Sequence, residues 1–288
     1  MSLPEATTVQ TTNLTPPKGG KRKLPTKGAL IAMIWLGLLV IGVVLAIALP
    51  GADPYSNNYD SLGLPPSLSH PLGTDALGRD VLVRTLYGAR SSLIIALMAV
   101  LVGGLIGTLL GTAAGYLRGW LDTVLGFVID VLLALPSLLL VITIVALRGP
   151  SLMTISLVIA LLSIPTFARI SRAAALSISG ESFVVAARTL GASHSTIVVR
   201  EILPNVLPVI TPYALTSAAN AIILEGALSF LGYGLRPPLP SWGGLIADGR
   251  SQLSDAPWVT MGPALVLCLT IMAINIIGDY LSGRRRNQ

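Results

Sequence analysis

The sequence predicts an all-α polytopic membrane protein with six transmembrane helices and both termini on the cytoplasmic side. Three observations carry that prediction. The chain of 288 residues is 53% hydrophobic and only 11% charged, with a mean hydropathy of +0.78, whereas a soluble domain carries about 25% charge. Its apolar residues gather into runs long enough to cross a bilayer as helices. The basic residues are divided unequally between the segments that join those runs.

Taken in order, residues 1–27 form a polar tail rich in Thr, Pro and Lys, expected to be disordered, and 28–288 form the transmembrane domain. The first span is 28–49, which at about 1.5 Å per residue reaches roughly 33 Å, enough for a hydrocarbon core of about 30 Å. Ala46-Ile47-Ala48 resembles a cleavage site, but the run exceeds the roughly 7 to 15 residues of a signal h-region, so it reads as an uncleaved anchor. Residues 75–90 read as an outer surface helix, with Leu77, Val81 and Leu86 on the membrane and Asp80 and Arg84 paired at i,i+4. Spans 91–117, 123–147 and 149–168 follow; only Asp130 interrupts them, and it invites pairing with a basic residue near the inner face. The fifth span, 204–231, opens with Pro204, Pro208 and Pro212 on one helix face and contains Asn220 and Glu225. A Gly/Pro-rich outer loop then places Trp242 as an interfacial aromatic anchor, and 256–281 is the last span.

Orientation follows from the cations. With the N-terminus inside, the inner segments hold Lys18, Lys21, Arg22, Lys23, Lys27, Arg118, Arg169, Arg172, Arg188, Arg200, Arg284, Arg285 and Arg286. The outer ones hold only Arg79, Arg84, Arg90, Arg148, Arg236 and Arg250. These charges cap apolar runs rather than forming an aromatic-interleaved patch, so membrane lipid and not nucleic acid explains a pI of about 9.8. One cysteine, Cys268, and two histidines, His70 and His194, argue against a disulfide framework, a metal centre or a catalytic triad. No Gly-rich turn ends in Lys-Ser or Lys-Thr, so ATP-driven work would need another chain to hydrolyse the nucleotide.

The inner loop 176–203 is patterned like a packed helix. Over Ser182 to Leu190, Phe183, Ala186 or Ala187, and Leu190 form one apolar stripe, and Gly191 suits a left-handed helix stop. The stripe could pack onto the ends of its own helices, lie at the lipid interface, or dock a partner. Glu201-Ile202-Leu203-Pro204-Asn205 is expected to turn the chain back into the membrane.

Val185-Ala186-Ala187-Arg188-Thr189-Leu190-Gly191 with Ile202-Leu203-Pro204-Asn205 resembles the cytoplasmic E-A-A-x-x-x-G loop and I-L-P-N of ABC importer permeases in the dipeptide/oligopeptide/nickel group, with Val185 in place of the glutamate. His70-Pro71-Leu72-Gly73-Thr74-Asp75, Gly78-Arg79-Asp80-Val81, Asp130 to Pro136, Glu225 to Gly234, Pro237 to Gly243 and Asn275-Ile276-Ile277-Gly278-Asp279 are similar to that group's other signatures, in order. The resemblance implies the type I importer fold and a peptide-importing pore subunit of the bacterial inner membrane, not an enzyme. It implies coupling to the ATPase through Phe183, Val185, Ala186, Ala187, Leu190, Gly191 and Ala192. It further implies a second homologous permease chain, two ATPase subunits that hold ATP and Mg, and an extracytoplasmic substrate-binding protein, with no cofactor on this chain. Asn220 and Glu225 are candidates for the translocation path, with helix-to-helix hydrogen bonding as the competing role. The alternative function is a stand-alone ion-coupled secondary transporter or channel, in which Glu225 or Asp130 would bind the coupling ion.

Overall fold

The structure is a computed structural model that describes residues 27–48 and 53–285; all but the last residue of the expected 1–27 tail lies outside the described residues. The first span is α1 (Lys27–Ala48), apolar on every side and exposed along most of its length, as a lipid-facing helix must be. Trp35 Nε1 donates to Thr270 Oγ1 at 3.2 Å and fixes α1 to the last span.

The second crossing is α2 (Val81–Met98), a π-helical segment (Ala99–Gly104) and α3 (Leu105–Leu117), one rod of 37 residues. At about 1.5 Å per residue it is roughly 55 Å long and must project beyond the hydrocarbon. The expected surface helix over 75–90 is therefore the first part of this span, starting only at Val81. Asp80 explains the start: its Oδ1 accepts from Val83 N at 2.9 Å as an N-cap. Its Oδ2 lies 2.8 Å from His70 Nδ1, so the expected Asp80–Arg84 pair does not form. Arg84 instead donates to the Pro54 carbonyl at 3.0 Å and lies 3.7 Å from Asp75.

The third crossing is broken. α4 (Gly119–Ala134) and α5 (Ser137–Arg148) meet at 84°. Pro136 lacks a donor N–H and pushes Leu135 into extended backbone, φ −80°, ψ 135°, which ends α4. Neither half alone reaches the roughly 30 Å of a bilayer core.

α6 (Leu152–Ile178) is the central helix, packed on α2, α3, α4, α5 and α9. After the loop helices α7 (Ser182–Thr189) and α8 (His194–Ile197), a π-helical turn (Val198–Ile202) leads directly into α9 (Leu203–Phe230). α10 (Trp242–Gly249) and α11 (Trp258–Arg285) complete the chain. Among the described residues five helices are long and apolar enough to cross a membrane, and six crossings result when α4 and α5 count as one.

The two larger apolar clusters lie toward opposite ends of the bundle. Tyr116, Phe167, Ala175, Val184, Ile197, Ile202, Val206 and Ile210 form the cluster at the loop end. Ile95, Val141, Val145, Ile155, Ile159, Ile222, Leu228 and Trp242 belong to the other. Between them α3 lies directly on α6. A Cβ on Gly103, Gly107, Gly111 or Gly115 would strike the carbonyl oxygen of Ala160, Ile164, Ala168 or Arg172 respectively. The two sets advance by four together, so the helices run parallel and touch backbone to backbone. Small residues at every fourth position allow that approach where lipid gives helices no hydrophobic reason to associate.

Gly111→Leu should therefore separate α3 from α6, because the obstacle is Ala168 backbone and cannot rotate away. Overpacking of this kind costs about 1–3 kcal/mol or more, read as a fall in Tm and loss of monodispersity in detergent. Gly126→Ala on α4, where an added Cβ meets nothing within 4 Å, should leave both unchanged or slightly improved.

Candidate functional site

The candidate loop is built around α7. Glu181 begins it through its backbone carbonyl, which accepts from Val184 N and Val185 N at 3.0 and 3.1 Å. It ends in a Schellman arrangement: Gly191 N donates to Arg188 O at 3.0 Å and Ala192 N to Ala187 O at 3.1 Å. Gly191 sits at φ 81°, a conformation a side chain disfavours, which accounts for glycine at this position. Ser193 then N-caps α8, accepting from Thr196 N at 3.3 Å.

The apolar residues of α7 divide between two faces. Val184 is fully buried in the loop-end cluster, and Ala187 and Ala192 pack against it. Phe183, Val185, Ala186 and Leu190 face outward, with Leu190 87% exposed. The stripe expected from Ala186 or Ala187 thus runs through Ala186, while Ala187 belongs to the anchor. Val184 carries that anchor, and sequence spacing alone does not distinguish it from its neighbours.

The turn back into the membrane lies at Gly191–Ser193 and not at Glu201 to Asn205. From His194 the chain is one helical rod of 37 residues to Phe230. The Ile-Leu-Pro-Asn stretch sits inside that rod, where Asn205 Nδ2 donates to the Glu201 carbonyl at 2.6 Å beside the proline-disturbed turn. On the preceding side, α6 enters the loop directly. Two ion pairs hold α4 to it: Arg172 binds both oxygens of Asp122, and Arg169 binds Asp130, the basic partner that Asp130 invites. α7 is therefore set between the ends of two spans.

At the opposite end, Glu225 on α9 has no exposed surface. Its Oε1 accepts from Ser229 Oγ at 2.8 Å and Ser241 Oγ at 2.7 Å, its Oε2 from Ser92 Oγ at 3.3 Å, and Gly243 adds a backbone N–H. Ser92 Oγ also accepts from Trp242 N at 3.2 Å. One carboxylate so joins α2, α9 and the start of α10, and in this conformation it lines no open path. Trp242, expected at the interface, is fully buried, because its Nε1 finds the Thr85 carbonyl at 3.0 Å within the bundle. Nearby Asp248 on α10 has its carboxyl pushed up by burial, against the opposing pull of Arg84 and Arg79.

Asn220 differs: it is exposed on α9, one turn from Thr216. Thr216 lines a cavity of about 390 Å³ with Val209, Pro212, Tyr213, Gly278 and Asp279. Among the described residues no group of His, Cys, Asp and Glu is placed to hold a metal.

Glu225→Leu should destabilise the fold, since it leaves buried serine hydroxyls and the Gly243 N–H without their acceptor. Each such group costs about 1–3 kcal/mol. Thermal unfolding of purified protein should show a clear loss for Glu225→Leu and a smaller one for Ser229→Ala, which removes one donor together with its need.

Residues 107–286 match the family described as binding-protein-dependent transport system inner membrane component. Over 255 residues the chain is 41% identical to the glutathione transport system permease protein GsiD of Shigella flexneri serotype 5b (strain 8401), covering 88% of this chain and 84% of the relative. It is 40% identical, with the same coverage, to GsiD of Escherichia coli O6:K15:H31 (strain 536 / UPEC). Two solved chains, both described as inward-facing conformations of the MetNI methionine ABC transporter, superpose with TM-scores of 0.58 and 0.56 at 19% and 17% identity. They cover 72% and 70% of this chain and 96% and 94% of their own, a likeness of fold. The chain belongs to the binding-protein-dependent transport system inner membrane component family: it is an inner-membrane permease subunit of an ABC importer, with ATP hydrolysis on a separate subunit.

Proposed function

We propose that this permease imports peptides, that α7 is its coupling helix, and that its loop end is cytoplasmic. The observation that carries the coupling role is the division of α7 into a buried anchor, Val184 and Ala187, and an outward apolar face of Phe183, Ala186 and Leu190. An exposed apolar face on a helix fixed at both ends is suited to a partner's groove. Val185 adds apolar contact at 50% exposure where a glutamate would have added a charge. Gly191 and Ala192 set the angle at which α7 leaves the rod that continues into α9.

The charge count supports the cytoplasmic side for this end, and with six crossings both termini share it. In the assembly a second homologous permease supplies the other half of the pore, two ATPase subunits carry ATP and Mg, and a binding protein delivers substrate outside. Asn220 and Thr216 belong to the surface that the two permeases enclose; Glu225 supports that surface from behind. The peptide substrate rests on the relatives named for glutathione transport, a tripeptide thiol.

Phe183→Asp/Leu190→Asp should abolish ATPase recruitment and uptake while leaving stability within about 0.5 kcal/mol of wild type, as exposed substitutions do. Val184→Asp should instead disrupt the loop itself, because it buries an unpaired carboxylate. Pull-down with the ATPase subunits and uptake of labelled glutathione in proteoliposomes check both. Wild-type uptake by the double variant would overturn the coupling role, and ATP-independent uptake by the chain alone would overturn the importer mechanism. Absence of uptake of labelled glutathione and of every member of a panel of di- and tripeptides would remove the substrate assignment only.

A further inference from the structure

Beside α7 lies a polar recess that the coupling role does not use. It is a cavity of about 340 Å³ lined by Tyr116, Leu117, Arg118, Ser179, Arg188 and His194. Among the described residues no carboxylate lines it. Arg118 donates to the Ser179 hydroxyl at 3.4 Å, and the Arg188 guanidinium lies over the Tyr116 ring, its Cζ 5.4 Å from the centroid. His194 Nδ1 is 3.0 Å from the Tyr116 hydroxyl oxygen. The nearby Asp122 feels the charge of Arg118 but is already held on both oxygens by Arg172. Among the described residues neither Arg118 nor Arg188 has a carboxylate partner.

Two forked cations around a polar recess suit an oxyanion with several acceptor oxygens, a phosphate above all. The depth of the recess indicates where that phosphate comes from. Arg118 is the single residue between α3 and α4, and its neighbours Leu117 and Trp120 are 49% and 76% exposed. A tryptophan at the end of a span marks the bilayer interface, so the recess opens at the level of lipid headgroups. Basic recesses between helix ends on the cytoplasmic side are suited to anionic headgroups. We propose that this recess binds the phosphodiester headgroup of an anionic phospholipid, bridging the α3–α4 corner to α7.

The inference is independent of the docking role, because its readout is bound lipid and not uptake. The assembled transporter, in nanodiscs of phosphatidylglycerol or of phosphatidylcholine, is examined by native mass spectrometry. Wild type should retain phosphatidylglycerol, and R118Q/R188Q should lose it by about five-fold for each arginine removed. R118K/R188K, which keeps both charges, should retain most of it, and phosphatidylcholine should not distinguish the variants. Equal retention of phosphatidylglycerol by wild type and R118Q/R188Q overturns the proposal. Complete displacement of the lipid from wild type by inorganic phosphate also overturns it, by making the natural ligand a soluble anion; this arm depends on no variant folding. Phosphatidylglycerol retained by the permease pair alone but absent from the assembled transporter would overturn it too, assigning the recess to a partner carboxylate.

Discussion

The contact on which the rest of the structure depends is made without side chains. Gly103, Gly107, Gly111 and Gly115 bring α3 against the carbonyl edge of α6 at Ala160, Ile164, Ala168 and Arg172. Because both series advance in the same direction, α3 and α6 are parallel, and the chain between them has to return across the bundle. Only α4 and α5 are available for that return. Arg118 stands at the loop end beside Ser179, and Val145 belongs to the same apolar cluster as Leu228 and Trp242 toward the other. The 84° break at Pro136 therefore divides a crossing and does not make a re-entrant hairpin. α6 occupies the middle of the fold because a glycine rail on one side leaves its remaining surface for α9, α2 and the bent pair.

Polar side chains complete what packing begins. In lipid an unpaired carboxylate is expensive, and three acidic groups within the spans, Asp122, Asp130 and Glu225, have partners that tie helices together. Asp122 and Asp130 connect α4 to α6 through Arg172 and Arg169, which compensates for a helix whose apolar residues are mostly exposed. Glu225 performs the equivalent task at the far end with serines, which keep the geometry fixed without adding an opposite charge. The same arginines that skew the charge count toward the loop side thus also have structural partners, so the topogenic signal and the helix contacts share residues.

Much of this was legible from residue order. The apolar runs locate the spans, the loop pattern picks out α7 and its glycine stop, and Asp130 announces a need for a basic partner. Other features depend on contacts between distant residues. A proline in an apolar run is compatible with a kink or a full break, and Pro136 becomes a break only because Leu135 turns extended. Trp242 in a Gly/Pro-rich loop has the composition of an interfacial anchor, and the Thr85 carbonyl that draws it inside lies 157 positions away. Ala186 and Ala187 are equivalent in composition until Val184 shows which side of α7 faces the protein. The glycine rail was present in the sequence as small residues at every fourth position, but a reading of hydropathy passes over it because glycine is neutral on that scale.

The rail also constrains how motion at α7 can travel. Side-chain interfaces slide by exchanging rotamers, whereas carbonyls seated against glycine Cα atoms leave little to exchange. α3 and α6 should therefore move as one body, with α4 carried along by its ion pairs. A displacement of α7 then has one other exit, the rod from His194 through the π-helical turn to α9. That rod contains Pro208 and Pro212, whose missing N–H groups weaken the ladder where it enters the bundle. Coupling of two sites requires an element with two arrangements that both can bias. On the proposed coupling role, the rigid pair is the reference frame, and the proline-softened start of α9, adjoining the cavity at Pro212 and Thr216, is the part placed to change.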